Sequence, residues 1–274
     1  MCMAVFHTIQ PLFRWAGSKK KLLSELSPYW EKYAPKRYIE PFAGSARLYF
    51  HLQPQHAIIG DLNKELINAY RVIQRSPDSL HGYLASLVKD KEHYYEIRAI
   101  HPDSLTEVER AGRFLYLNKL CFNGLYRTNL KGEFNVPFSA SADSKFPTLD
   151  ELVQYSALIQ SVQFVCGDFE DIVRANLKAG DFIYMDPPYA VQNKDIFHQY
   201  GPDTFGIKDI ERLAHLLDDI DRRGGHFLLS YAYDESLYDQ YFKRWGMKIV
   251  STQRNIAGFL KGRRLANEML ISNG

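Results

Sequence analysis

The chain has 274 residues, 46% of them apolar, with 34 basic and 32 acidic side chains and a net charge of +2. That length suits one large domain with room for an inserted lobe, and the near-balanced charge excludes a surface coated in basic residues. No apolar run approaches the ~20 residues needed to span a bilayer, residues 1–10 lack a secretory pattern, and Cys2, Cys121 and Cys166 suit neither a disulfide framework nor a zinc site. A reducing cytoplasmic interior is the expected home, and no membrane partner is expected.

The first motif, Arg14-Trp15-Ala16-Gly17-Ser18-Lys19, precedes a helix expected over 20–29. Ser18 can cap that helix, and the small Ala16 and Gly17 let the backbone approach a ligand. Lys19 can meet a carboxylate there, and Trp15 offers a stacking face. A strand over 37–41 runs into Tyr38-Ile39-Glu40-Pro41-Phe42-Ala43-Gly44-Ser45-Ala46, the strand–turn–helix form of a nucleoside-binding loop. About twenty residues on, a strand over 56–61 ends at Asp61, whose carboxylate can accept from both hydroxyls of a ribose. A helix is expected over 63–75.

From about 76 to 156 the strand–helix alternation stops. The segment reads as an inserted lobe on one edge of a sheet, with one helix over 105–122 and turns or a short hairpin over 124–138. Within it, Asn118 to Phe138 combines Asn123, Arg127, Asn129 and Lys131 with the apolar Phe122, Leu125 and Pro137. Asn and Arg read base edges, Lys and Asn suit phosphates, and Phe122 can wedge between bases. An ordinary Asn/Gly turn on a helical lobe is the alternative. Three basic clusters add phosphate-binding capacity: Arg14 with Lys19, Lys20 and Lys21; Lys119 with Arg127 and Lys131; Lys261 with Arg263 and Arg264.

Alternation then resumes, with strands over 162–168, 181–186, 225–231, 248–254 and 267–272 and helices over 207–222 and 234–245. This pattern predicts a mostly parallel sheet covered by helices on both faces. Asp168 ends one strand, where it can accept from an amino group while Phe169 packs on a ring. The run Asp181-Phe182-Ile183-Tyr184-Met185 leads directly into Asp186-Pro187-Pro188-Tyr189. The prolines fix the backbone. The Asp186 carboxylate and the Pro187 carbonyl then offer two acceptors beside the Tyr189 ring. That arrangement suits a planar ring bearing an amino group. Glu40, Asp61, Asp168 and Asp186, at successive strand ends, form one crevice rim.

These motifs, taken together and in this order, resemble the DNA adenine methyltransferase (Dam) family. The likeness is clear over 11–231 and weaker beyond. It implies an α/β fold: a Rossmann-like class I methyltransferase sheet with an inserted, mainly helical target-recognition lobe. Residues 1–75 and 157–274 would form the catalytic domain and 76–156 the DNA-binding domain. The resemblance further implies transfer of a methyl group from S-adenosyl-L-methionine to the 6-amino group of adenine in duplex DNA, by base flipping at a GATC-like site. Asp186, Pro187 and Tyr189 would be catalytic. Trp15, Ala16, Gly17, Lys19, Glu40, Pro41, Phe42, Gly44, Ser45, Asp61, Asp168, Phe169 and Asp186 would hold the cofactor. Arg14, Phe122, Asn123, Leu125, Arg127, Asn129, Lys131 and Pro137 would meet DNA. No metal or covalent nucleophile is required, and a cognate restriction endonuclease is a possible partner. An RNA adenine methyltransferase and a DNA-binding protein without catalysis are the alternatives. Departures from the family pattern are Phe122 where tyrosine is frequent, Arg14 where lysine is common, Ser139-Ala140-Ser141 where a basic and aromatic pair is common, and the short Arg263-Arg264 pair.

Overall fold

The computed structural model describes residues 11–17, 19–139, 145–189, 205–255 and 263–274. Ser18, Ala140, Ser141 and Lys261 fall outside them, as do the side chains of Arg263 and Arg264. Seven strands build one sheet: β1 (Tyr38–Glu40), β2 (Ala57–Asp61), β3 (Val162–Cys166), β4 (Phe182–Met185), β5 (His226–Ala232), β6 (Gly246–Asn255) and β7 (Arg263–Ser272). Their order is β3-β2-β1-β4-β5-β7-β6. The first five are parallel, and β7 runs antiparallel between β5 and β6. This is the Rossmann-like α/β sheet that the resemblance implies.

Strand order reverses between β1 and β4, which pair directly through Tyr38↔Phe182 and Ile39↔Ile183. Connections leave the two strands in opposite directions, so a crevice opens at their carboxyl ends. Alternate residues of each strand feed opposite faces. Tyr38, Ile59, Phe182, Tyr184 and Leu228 join one apolar core, and Ile39, Ile58, Ile183, Met185 and Leu229 join the other. Both faces are covered, which is why β4 reads as an unbroken apolar run.

Helix α1 (Leu23–Tyr33) precedes β1, and the strands are joined through α2 (Arg47–Leu52), α3 (Lys64–Arg75), α8 (Phe169–Asn176) and α9 (Ile207–Arg222). Asn63 caps α3 by accepting from the Glu65 and Leu66 amides at 3.0 and 3.1 Å. The segment between β2 and β3 also carries α4 (Pro77–Ala85), α5 (Lys91–Ala99), α6 (Glu107–Leu120) and α7 (Leu149–Leu158). Helix α6 starts at a reciprocal capping box between Thr106 and Glu109, as the Thr-x-x-Glu spacing requires. It ends at Leu120 because Cys121 is extended and Asn123 adopts a left-handed φ of 55°. The following loop folds back on itself through Cys121↔Phe138 and Thr128↔Phe134 pairing. Its helices share one continuous core with a sheet face, from Tyr38 to Tyr116. Arg110 of α6 adds an ion pair to Glu65 of α3.

Two expected helices differ. The one expected over 20–29 is a 3-10 turn, Lys20–Leu22, followed by α1, which runs on to Tyr33. Pro28 lies within α1 and removes one amide donor without ending the helix. The segment expected as a helix over 234–245 is one α turn, Glu235–Leu237, widened into a π turn, Tyr238–Phe242. That turn buries Phe242 and lets the Tyr238 hydroxyl donate to the Trp245 carbonyl at 2.9 Å.

Packing of α4 on α6 gives a paired stability prediction. A Cβ at Gly112 of α6 would lie 2.2 Å from the Tyr83 ring of α4, whereas one at Gly82 would meet nothing within 4 Å. Gly112→Val should therefore destabilise by about 1–3 kcal/mol through overpacking. Gly82→Ala should stabilise by about 0.8–1 kcal/mol through helix propensity. Urea unfolding of both variants checks this, and equal signs would contradict the packing.

Candidate active site

The loop after β1 is shaped by Asp61, at the end of β2. Its Oδ2 accepts the Gly44 amide at 3.0 Å and its Oδ1 the Asn63 amide at 2.9 Å. Burial pushes the Asp61 pKa up, and these backbone donors pull it back. Each carboxylate oxygen has a second lone pair, so two further hydrogen bonds can be accepted. Gly44 has a φ of +46°, and a Cβ there would lie 2.6 Å from the Trp15 indole. Glycine is needed on both counts. Trp15 in turn stacks on Tyr126 at 5.9 Å.

Glu40 at the end of β1 and Ser45 within this loop are 2% and 5% exposed and are not on the cleft wall. Glu40 accepts from the Tyr38 hydroxyl at 2.9 Å. Burial above all raises its pKa well beyond the ordinary carboxylate value. Tyr38 opposes that shift, while Asp186 and Asp61 add to it. The uncharged acid is favoured.

Asp168 caps α8 by accepting from the Glu170 amide at 3.0 Å, and it pairs with Arg212 of α9. Arg212 also reaches Glu170 at 2.9 Å and Asp209 at 3.0 Å. Its guanidinium lies 4.8 Å from the centre of the Phe169 ring, which stacks on Phe42 at 5.0 Å. Aromatic walls and a bound cation thus frame the β3 end of the crevice.

Asp186 leaves β4 at the switch point. Pro187 is buried and Pro188 exposed. Lys19, 6% exposed, donates to Glu268 of β7 at 2.8 Å and to the Tyr189 hydroxyl at 3.2 Å, and pairs with Asp186 at 3.1 Å. Burial opposes the ammonium, but Asp186, Tyr189 and Glu268 outweigh it and hold the Lys19 pKa above the ordinary lysine value. Lys19 was expected to meet a carboxylate, and those it meets belong to the protein itself. Tyr189 is further set by an edge-on contact with Tyr231 at 5.4 Å.

One cleft of about 1210 Å³ joins these parts. Its wall includes Trp15, Pro41, Phe42, Gly44, Asp61, Asp168, Phe169 and Asp186 from the sheet side and Arg127, Asn129 and Lys131 from the loop after α6. Ala16, Gly17, Lys19, Pro187 and Tyr189 are not on that wall. Neither are Arg14, Phe122, Asn123, Leu125 and Pro137. Arg14 is held from behind, its amide donating to Asn118 Oδ1 at 2.8 Å and its carbonyl accepting from Asn118 Nδ2 at 2.7 Å. Beside it, Lys119 has its pKa lowered by burial and then by Arg14. Two cations held together suit an anion such as a phosphate. Arg127 donates to Asn135 at 2.8 Å, and Asn129 Oδ1 accepts from the Lys131 and Glu133 amides at 2.9 and 3.0 Å. Phe122 is 47% exposed.

Glu268 and Arg212 are site residues that the motifs did not indicate. The available signal for Glu268 was a single carboxylate abutting the apolar run Met269-Leu270-Ile271. Arg212 carried none, since its position on a polar helix face looks like any solvated residue.

A family model for D12 class N6 adenine-specific DNA methyltransferases matches residues 15–256. The chain belongs to that family. It is 35% identical to the type II methyltransferase M.MjaIII of Methanocaldococcus jannaschii, covering 90% of this chain and 93% of the relative. It is 32% identical to a DNA adenine methylase of Serratia marcescens, covering 94% and 96%, and 31% identical to the type II methyltransferase M1.LlaDCHI of Lactococcus lactis, covering 97% and 95%. The protein is an N6-adenine DNA methyltransferase that uses S-adenosylmethionine as methyl donor.

The residues present fit that cofactor. Asp61 offers two acceptors of the kind a ribose needs, with Phe42, Phe169 and Trp15 as aromatic walls around it. The volume of about 1210 Å³ exceeds the roughly 300–1,000 Å³ of a typical ligand pocket, leaving room for a nucleobase beside the cofactor. Asp61→Ala should weaken binding of S-adenosylhomocysteine by roughly 1.5–3 kcal/mol while changing DNA affinity little. Calorimetry with each ligand checks it; unchanged cofactor affinity would remove Asp61 from the site.

Proposed function

We propose that the target adenine is flipped from duplex DNA into the cleft and held by Asp186, Pro187 and Tyr189, at a GATC-like site read by the loop after α6. The observation that carries this reading is the single cleft with Asp61 and Asp186 on one wall and Arg127, Asn129 and Lys131 on the other. An adenine inside a duplex cannot reach Asp186, so it must leave the stack.

S-adenosylmethionine, when bound, supplies a methyl group activated by its positively charged sulfur. The Asp186 carboxylate and the Pro187 carbonyl accept from the 6-amino group of the base. Those bonds keep the nitrogen lone pair from delocalising fully into the ring and aim it at the cofactor side. Tyr189 packs on the base, with its hydroxyl tied to Lys19. Placement and electrostatics supply the acceleration, with no covalent step through the protein. Trp15, Pro41, Phe42, Gly44, Asp61, Asp168 and Phe169 line the cofactor half. Glu40 and Ser45 are buried behind it, and Ala16 and Gly17 are exposed next to Trp15.

In this reading residues 76–156 form the target-recognition domain, and 1–75 with 157–274 the catalytic domain. Arg127 reads a guanine, and Phe122, beside Asn123 and Leu125 on a tight turn, fills the gap left by the adenine. Arg14, Lys131 and Pro137 border the duplex. Relatives named type II methyltransferases support a restriction–modification setting with a cognate endonuclease as partner. No helix among the described residues is long and apolar enough to cross a membrane, in keeping with a cytoplasmic enzyme acting on DNA.

Asp186→Ala should lower the methylation rate by about 10²–10³-fold or more with the fold intact. Normal turnover in that variant would rule the mechanism out. Arg127→Ala should lose about 1–3 kcal/mol of discrimination at one base pair. Methylation rates on singly altered GATC sites measure it. A uniform drop across all sites would make Arg127 a phosphate contact instead.

A further inference from the structure

Glu268 has no part in the reading above, yet its placement is unusual. It is 4% exposed on β7, beside Met269, Leu270 and Ile271, all 0% exposed. A carboxylate in such surroundings is expensive to desolvate unless firmly paired. Two of its partners lead to the Asp-Pro-Pro-Tyr segment: Tyr189 belongs to it and Lys19 touches Asp186 and Tyr189. Lys19 donates to it at 2.8 Å, the Tyr189 hydroxyl at 3.4 Å and the Ser230 hydroxyl of β5 at 3.1 Å.

Lys19 makes the connection specific. An ammonium has three donors, and Lys19 meets three protein oxygens: Glu268 at 2.8 Å, Asp186 at 3.1 Å and Tyr189 at 3.2 Å. The shortest of the three is to Glu268, so the charge of Lys19 is shared and Asp186 does not hold it alone. With the carboxylate at position 268 gone, Asp186 is the charged partner left to Lys19 among the described contacts. The Asp186 carboxylate is then drawn toward Lys19 and weakened as an acceptor for anything else.

We propose that Glu268 is a positioning residue for methyl transfer: by holding Lys19 from β7 it sets the orientation and hydrogen-bonding strength of Asp186. This rests on Asp186 as the acceptor for the adenine amino group. Glu268 itself is buried and does not line the cleft. Its effect therefore falls on the rate of the bound complex and not on assembly of that complex.

The test uses the full-length enzyme, duplex DNA containing its methylation site and S-adenosylmethionine. Glu268→Gln should lower kcat roughly 10- to 100-fold, the size expected when a reacting group is misplaced by about 1 Å. KM for DNA and the affinity for S-adenosylhomocysteine should stay within about threefold of the parent. In a Lys19→Gln background the same change should cost less than about threefold, because the two residues act through one interaction. Glu268→Asp, which keeps the charge, should retain more activity than Glu268→Gln, and it carries the test if the Gln variant does not fold. A Glu268→Gln enzyme with parental kcat would overturn the inference. So would an equal loss with and without Lys19, or an Asp variant no better than Gln. Asp186→Ala, assayed alongside, separates the two readings: a fully active Asp186→Ala enzyme defeats the acceptor role, and an inactive one beside an unaffected Glu268→Gln enzyme defeats only the role of Glu268.

Discussion

A buried ammonium must be paired, and in this protein the pairing of Lys19 organises the proposed reaction centre. Lys19 sits just before α1, Asp186 and Tyr189 follow β4, and Glu268 lies 249 residues further along than Lys19, on β7. One side chain thus ties the start of the chain, the middle of the sheet and its antiparallel end to a single point. The charge balance is also set there. Two carboxylates, Asp186 and Glu268, share one ammonium, while burial favours the uncharged form of Glu40 behind them.

The sheet makes that point reachable. Reversal of strand order between β1 and β4 leaves a crevice where the loops from both strands face a common space. Asp61 stiffens the β1 loop through two backbone amides, and the loop is packed under Trp15. Trp15 and Arg14 carry the connection onward: Trp15 stacks on Tyr126, and Asn118 grips the Arg14 backbone on both sides. The segment that frames the cofactor cleft is therefore bonded directly to the segment assigned to DNA.

Much of this was legible in the sequence, for identifiable reasons. The β4 run and its Asp-Pro-Pro-Tyr end stand out because a strand buried on both faces is continuously apolar and two prolines restrict what can follow. Asp61 stands out because an acidic residue ends a strand at a spacing that ribose binding uses. What was not legible depends on distance in sequence or on local geometry. No local pattern pairs Lys19 with Glu268, since the contact arises only when β7 inserts between β5 and β6. Arg212 reaches Asp168 only after α9 docks on α8. The segment 234–245 has helical periodicity, yet it takes a widened turn because Phe242 is drawn into the core and Tyr238 bonds to Trp245.

The central claim is that the cleft receives an adenine taken out of the duplex, beside Asp186 and Tyr189. Fluorescence of 2-aminopurine, substituted in turn for the methylated adenine and for each neighbouring base, measures this most directly in the presence of S-adenosylhomocysteine. The account predicts a strong rise on enzyme binding at the target position alone, because only that base loses its stacking neighbours. No rise at the target, or an equal rise at its neighbours, would contradict it.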